Sequence, residues 1–517
     1  MPSAFVRTWL RVRILLIAFI LLLGAAPVAR AVEAVALERG TAITDPAMLR
    51  ELDGGRFRLD RMLLPERSAD APLSNDELFR LPSMMPIRRA IDGEFERYVV
   101  RHKASLPKET IGVGEGFDFQ LFDRALLYSA QTRFVLAGIV NRMDRAYVFP
   151  TGCGEIRLIY RLTRLDLPDV GNNTSSPRLP MTLNLVLKAK SDRSGPEVTC
   201  SSIANRWLAA GALLNEKLQT KDSPLDLLGP ENIDRIETNL QIAHAPKSAV
   251  RDFRTDYLLK VFRYDRQGRV FAEAPMENQI DRVRILADDS LKREFRAWLL
   301  DPVNLAEFDR GTVLIPEKFL ANGAVAPTPA GFDPSDLQPE FGLVQGEGAV
   351  FSEADIVAAL KKAAASGVKL QNIRSPGGFE RRLNDVTCAG CHQTRGIGGF
   401  HFPGVDWMAA KPSNTTVVPA SPHFLGDQIR RRDILTALRD GKQPDYSRGF
   451  SSRPQLRGST ELAGSGYYDG WGAHCYVAAK PAASNDASFR DWNCAEGLAC
   501  QAAGKTSRIG MCFVKGR

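Results

Sequence analysis

The stretch LNDVTCAGCHQTRGIGGFHFPG, Leu383 to Gly404, holds two of the chain's eight cysteines and two of its six histidines. Cys388, Cys391 and His392 form Cys-x-x-Cys-His, and His401 follows nine residues after His392. Thiols and imidazoles bind metals and carry redox chemistry, so several chemistries compete here. A thioredoxin-like dithiol uses Cys-x-x-Cys, but with a strand before it and a long helix after it. In this chain GFERRLNDVT reads as a short polar helix, and Gly-rich sequence follows the motif. A structural zinc takes four ligands, usually with a second Cys/His pair at short spacing. The next cysteine is the distant Cys475, and completing a site with His401 and His423 would be unusual geometry.

The third chemistry is covalent attachment of haem. Two thiols form thioethers to the haem vinyl groups, and the adjacent imidazole becomes an axial ligand of the iron. One helical turn sets both sulfurs at one edge of the ring with the imidazole beneath it. Residues 388–404 resemble the haem-binding segment of monohaem, class I c-type cytochromes, in which a Gly-rich loop with a proline follows the motif. Gly396, Gly398, Gly399 and Pro403 occupy that stretch, and Pro403 lies 11 residues after His392. The resemblance covers residues 350–450 or so. It implies a small all-α domain (346–450) and one covalent haem c on Cys388, Cys391 and His392. It also implies electron exchange with a redox partner protein or a small-molecule donor or acceptor. The family's distal methionine is missing at its usual place: after Met408 none occurs until Met511. His423 stands in a loop that runs into a helix predicted over Asp427 to Asp440, where the family places its distal ligand. It is therefore a candidate metal ligand beside His392, and His401 reads as a brace for the Gly-rich loop.

The N-terminus supports export. Arg7, Arg11 and Arg13 precede an apolar run of 16 residues (Ile14 to Ala29), and Ala29-Arg30-Ala31 is an A-x-A cleavage signal. The run is short for a membrane span, so residues 1–31 read as a cleaved signal peptide with no span left afterwards. That places the mature chain in the periplasm or outside the cell. Removing four arginines lowers the formal charge from +8 to +4. QIRRRD, Gln428 to Asp433, is the densest basic cluster and reads as a solvated helix face, and nothing points to nucleic acid.

The elements around the motif predict a multidomain chain. Residues 32–129 are mixed, with His102 read as exposed. From 130 to 325 the pattern is α+β. EIRLIYRLTR alternates Ile156, Leu158, Tyr160 and Leu162 against Arg157, Arg161 and Thr163, and MTLNLVLKAK alternates Leu183, Leu185 and Leu187 against Thr182, Asn184 and Lys188. Both read as half-buried antiparallel strands. Ala321 to Pro339 carries four prolines and two glycines and reads as a linker. Ser352 and Asp355 form a capping box that opens a helix ended by Gly367. A cysteine-rich tail (470–517) closes the chain.

Export also bears on the other cysteines, because disulfides persist in oxidising compartments. Cys153 precedes the first alternating strand and Cys200 follows the second, so a bridge there would tie the ends of a sheet. Cys475, Cys494, Cys500 and Cys512 staple the tail in one of three pairings. No serine-hydrolase, zincin or dinucleotide-binding signature is present. Three functions remain: an electron carrier with a large docking or substrate-binding region, a periplasmic oxidoreductase with a catalytic or electron-accepting haem, and a non-catalytic haem-containing binding or sensing protein.

Overall fold

The computed structural model describes residues 41–67, 70–165, 178–209, 218–245, 255–327, 349–388 and 427–448. It also describes short pieces of the tail, at 474–476, 486–489, 492, 494, 497–502 and 509–514. Ten strands form one sheet: β1 (Ala42–Ile43), β2 (Ile111–Gly112), β3 (Phe119–Leu121), β4 (Thr132–Arg142), β5 (Glu155–Arg164), β6 (Arg178–Lys188), β7 (Ile233–His244), β8 (Thr255–Asp265), β9 (Val270–Ala274) and β10 (Gly323–Pro327). From β4 to β9 each strand pairs antiparallel with the next. β10 comes from the stretch expected to be a linker and adds to β8 beside β9. Its proline closes an edge strand, where a missing N–H interrupts no further ladder.

Alternation decides which side chains this sheet hides. Ile156, Leu158, Tyr160 and Leu162 on β5 and Leu183, Leu185 and Leu187 on β6 all enter one core. Helices α1 (Pro46–Gly54), α2 (Leu59–Leu63), α3 (Asn75–Leu78), α4 (Met85–Ser105) and α5 (Cys200–Ala209) supply the other side of it. Ile87, Ile91 and Phe95 repeat at helical spacing along α4, and Trp207 of α5 is fully buried. This core takes in residues on both sides of position 130. His102 also lies inside, where its ring stacks on Phe119 at 4.8 Å and Nε2 lies 3.4 Å from Glu109. The reading of His102 as exposed is therefore corrected. An aromatic neighbour outweighs its polar neighbours in sequence.

A second, helical core is built by α6 (Arg282–Ala287), α7 (Asp289–Leu299), α8 (Pro302–Arg310), α9 (Glu353–Ala365) and α10 (Pro376–Val386). Phe295, Phe319, Phe351, Phe379 and Phe308 meet there edge to face or tilted. α9 starts at the Ser352–Asp355 capping box, and Gly367 beyond its end takes a left-handed φ of 79°. α11 (Gln428–Arg439) packs instead against α5 and sends Leu435 into the first core. The described helices between 346 and 450 are thus shared between two cores. Among the described residues no helix is long and apolar enough to cross a membrane.

One disulfide locks the sheet to α5. Cys153 and Cys200 are bonded with Cα atoms 5.2 Å apart. Cys153 and Gly154 both take left-handed backbone as the chain turns into β5. At Gly154 a Cβ would stand 2.7 Å from the Met143 Cα, so a side chain there is refused by sterics as well as by φ. The bond closes a sequence separation of 47 residues. In the chain-entropy treatment a loop of that size is worth about 4 kcal/mol. Replacing Cys153 and Cys200 together by serine is expected to lower unfolding free energy by roughly 2–4 kcal/mol, read by urea denaturation. An unchanged midpoint would show that the bond contributes nothing.

Candidate functional site

Cys388 stands two residues beyond the end of α10 and is half-buried. What positions it is the anchoring of α10. Arg382, fully buried, donates from Nε to the Phe308 carbonyl at 2.9 Å and from Nη2 to the Asp309 carbonyl. The Asp309 carboxylate accepts the backbone N–H groups of Gln371, Asn372 and Ile373 at 2.6–2.8 Å, which holds the approach to the helix. Arg381, also buried, lies over the Trp492 ring at 4.8 Å and the Phe489 ring at 5.6 Å. The stretch expected to be a polar helix is a helix, but its arginines point inward because carbonyls and aromatic faces receive them.

The tail clamps the same helix. Ser375 Oγ donates to Asp486 at 2.6 Å, and Ser488 Oγ accepts from the Arg374 N–H at 2.9 Å. Gly378 lets Ser488 approach, for a Cβ there would lie 2.2 Å from its Oγ. The tail's own sheet, β11 (His474–Tyr476), β12 (Leu498–Ala502) and β13 (Ile509–Val514), runs in the order β11-β13-β12. Cys475 is bonded to Cys500, and Cys494 is disulfide-bonded as well. The backbone of Cys512 lies in β13, opposite Cys500. Cys391, His392, His401, Pro403 and His423 lie outside the described residues.

Cys388 packs against an apolar patch of Leu259, Val261, Ala274, Met276, Ala324 and Ala326. That patch belongs to the face of the sheet turned away from the first core. Cross-strand register extends it into two rows. One runs Ile159, Asn184, Glu237, Val261, Ala274; the next runs Arg161, Thr182, Asn239, Leu259, Ala324. Apolar side chains in the patch under Cys388 therefore give way, from the adjacent strand β7 onward, to amides and charges. This face was expected to be solvated, yet Asn184 is fully buried and Arg157 is 5% exposed.

Ion pairs make that burial tolerable. Arg157 holds Glu155 and Glu237 at 2.9 Å each, and Arg235 holds Glu155 at 2.8 Å and Glu237 at 2.8 Å. Arg145 reaches Glu155 at 3.3 Å and also pairs with Glu277. At the same end of the sheet Asp144 pairs with Arg142 at 2.8 Å and with Arg430 of α11 at 2.8 Å. Asp427 receives Arg430 at 2.6 Å and Arg431 at 2.8 Å. QIRRRD is therefore not a solvated face. Arg430 and Arg431 face buried carboxylates, and Arg432 and Asp433 are the exposed pair. The signal that escapes a strand-by-strand reading is Glu-x-Arg on β5 matched by Arg-x-Glu on β7: reciprocal pairs that need two nonadjacent strands to meet.

Burial alone would raise the carboxyl groups of Asp144 and Glu155, but the arginines outweigh it and hold both well below the ordinary range. Glu277 and Asp427 are lowered by the same contest. Arg431, desolvated and crowded by Arg142, falls to about 10. The arrangement holds fixed charge, with the carboxyl groups of Asp144, Glu155, Glu277 and Asp427 kept ionised at neutrality.

No protein-family model matches the chain, and no curated protein or solved structure matches it.

Carboxyl groups whose folded pKa is depressed stabilise the fold above their unfolded pKa and lose that contribution as pH falls through the folded one. Stability is therefore expected to hold from neutrality down to about pH 4–5 and to fall steeply below, as measured by thermal melting across pH. Glu155→Gln breaks a buried network and is expected to cost about 3–5 kcal/mol at pH 7 while flattening the acid limb. An acid limb as steep as in the parent chain would assign the pH dependence to other groups.

Proposed function

We propose that this is an exported haem c protein that transfers electrons through a single covalent haem. The observation that carries the reading is the CAGCH sequence at Cys388 to His392. The donor set suits the group: a thiol at the end of an anchored helix, packed on an apolar patch where a macrocycle can shed water. The disulfides support an oxidising compartment, periplasmic or secreted, which is where this attachment is made.

When bound, haem supplies a one-electron iron couple whose potential follows its axial ligands and burial. Cys388 and Cys391 would tether it, and His392, with His423 as a further candidate, would supply imidazole ligands to its iron. The cytochrome c-like part of the reading is the region expected over 346–450, whose attachment motif begins at Cys388. The sheet and helical bodies form the docking region for a redox partner protein or a small-molecule donor or acceptor. A catalytic haem is the second reading, favoured by the absence of methionine between Met408 and Met511, which leaves the sixth position to a histidine or to a substrate.

The visible spectrum of the exported, purified chain is the test. A reduced c-type spectrum unchanged by carbon monoxide is expected for the carrier, and a carbon monoxide shift would turn the assignment to the catalytic reading. Cys388→Ala with Cys391→Ala is expected to abolish covalent haem on a denaturing gel. Covalent haem in that double variant would refute the attachment site.

A further inference from the structure

We propose that the amide and arginine cluster on the buried outer face of the sheet, Asn184 with Asn239, Arg161 and Thr182, is the seat for the carboxylate side chains of the tetrapyrrole. This inference rests on the haem reading above and deepens it.

Asn184 is fully buried, and neither its Oδ1 nor its Nδ2 has a hydrogen-bond partner among the described residues. An orphaned amide in the middle of a sheet costs about 1–3 kcal/mol of desolvation. Buried polar groups are otherwise almost always paired, so a ligand that supplies the missing partner accounts for it. The neighbouring Asn239 also carries an unpartnered, buried Oδ1. Its strand neighbour Thr182 accepts a 2.7 Å bond from Arg161 Nη1, which places a guanidinium in the same row. Glu237, opposite Asn184, is already neutralised by Arg157 and Arg235, so it does not repel an incoming anion. Two unsatisfied amides beside an acid that is already paired make a site for a carboxylate, with the Arg161 guanidinium adding positive charge to the row.

Position completes the argument. Asn184 sits on β6, two strands from Val261 of β8 along one cross-strand row, about 10 Å at the usual strand spacing. Val261 and Leu259 belong to the patch on which Cys388 packs. The thiol and the amide cluster thus lie over the same face of the sheet, the thiol on its apolar part and the amides on its polar part. A tetrapyrrole has that same division, with vinyl-derived thioethers at one edge and carboxylates at the other.

The experiment compares Asn184→Leu in the haem-loaded chain and in the Cys388→Ala/Cys391→Ala chain, reading melting temperature, and adds Asn184→Asp in the loaded chain, reading the haem midpoint potential. Removing an orphaned amide from the haem-free chain is expected to leave the melting temperature unchanged or raise it, since nothing bonded is lost. In the loaded chain the same change is expected to lower it, because the carboxylate loses its partner. Asn184→Asp sets a negative charge beside the haem and is expected to lower the midpoint potential. Equal melting shifts in both backgrounds, or an unchanged potential in Asn184→Asp, would overturn the inference. The potential stands as the test by itself where the haem-free chain does not fold. A parent chain that carries no covalent haem would overturn the functional reading itself, and so separates the two failures.

Discussion

A sheet with one greasy face and one charged face normally leaves the charged face in water. Here the second face is buried too, and the ion-pair lattice across β5 and β7 is what permits it. Glu155 and Glu237 are each held by Arg157 and by Arg235, so neither strand carries an uncompensated charge into the interior. Extending the same logic, Asp144 and Asp427 receive Arg430 and Arg431 and so bring α11 onto the body of the protein. A buried pair of this kind gives up solvation that hydrophobic residues would not lose, and its gain lies in admitting only one register between partners.

With the outer face enclosed, the two bodies can meet over it. The helical core includes α10, and the chain beyond α10 brings Cys388 onto the apolar patch of that face. Buried Arg382 and the Asp309 carboxylate hold α10 from one side, and the stapled tail holds it from the other through Ser488 and the Arg381 stack. A helix so restrained holds the residue beyond its end, Cys388, in one place on the sheet.

Much of this was legible in the residues, for reasons that can be named. Period two in EIRLIYRLTR and MTLNLVLKAK depends on each strand alone, so the faces of β5 and β6 could be read directly. The Ser352–Asp355 box and Gly367 are local too, because capping needs only neighbours within one turn. Where a partner comes from far away, the reading failed. β10 looked like a linker because its pairing to β8 bridges more than sixty residues. Arg430 and Arg431 looked solvated because Asp144 lies almost three hundred positions earlier. His102 looked exposed because Phe119 was not visible from its own helix.

By itself the sequence determined the placing of two thiols and an imidazole within 388–392, and an alternation that dictates antiparallel strands within an α+β region. These are properties of residue type and short spacing, which survive without knowledge of the fold. Only the tertiary structure decided that the charged face of that sheet is interior, that Asn184 has no hydrogen-bond partner there among the described residues, and that Cys388 packs on an apolar patch of the same face. Each of those depends on which distant strands lie side by side, because burial is set by the whole surface that covers a residue and not by its neighbours along the chain.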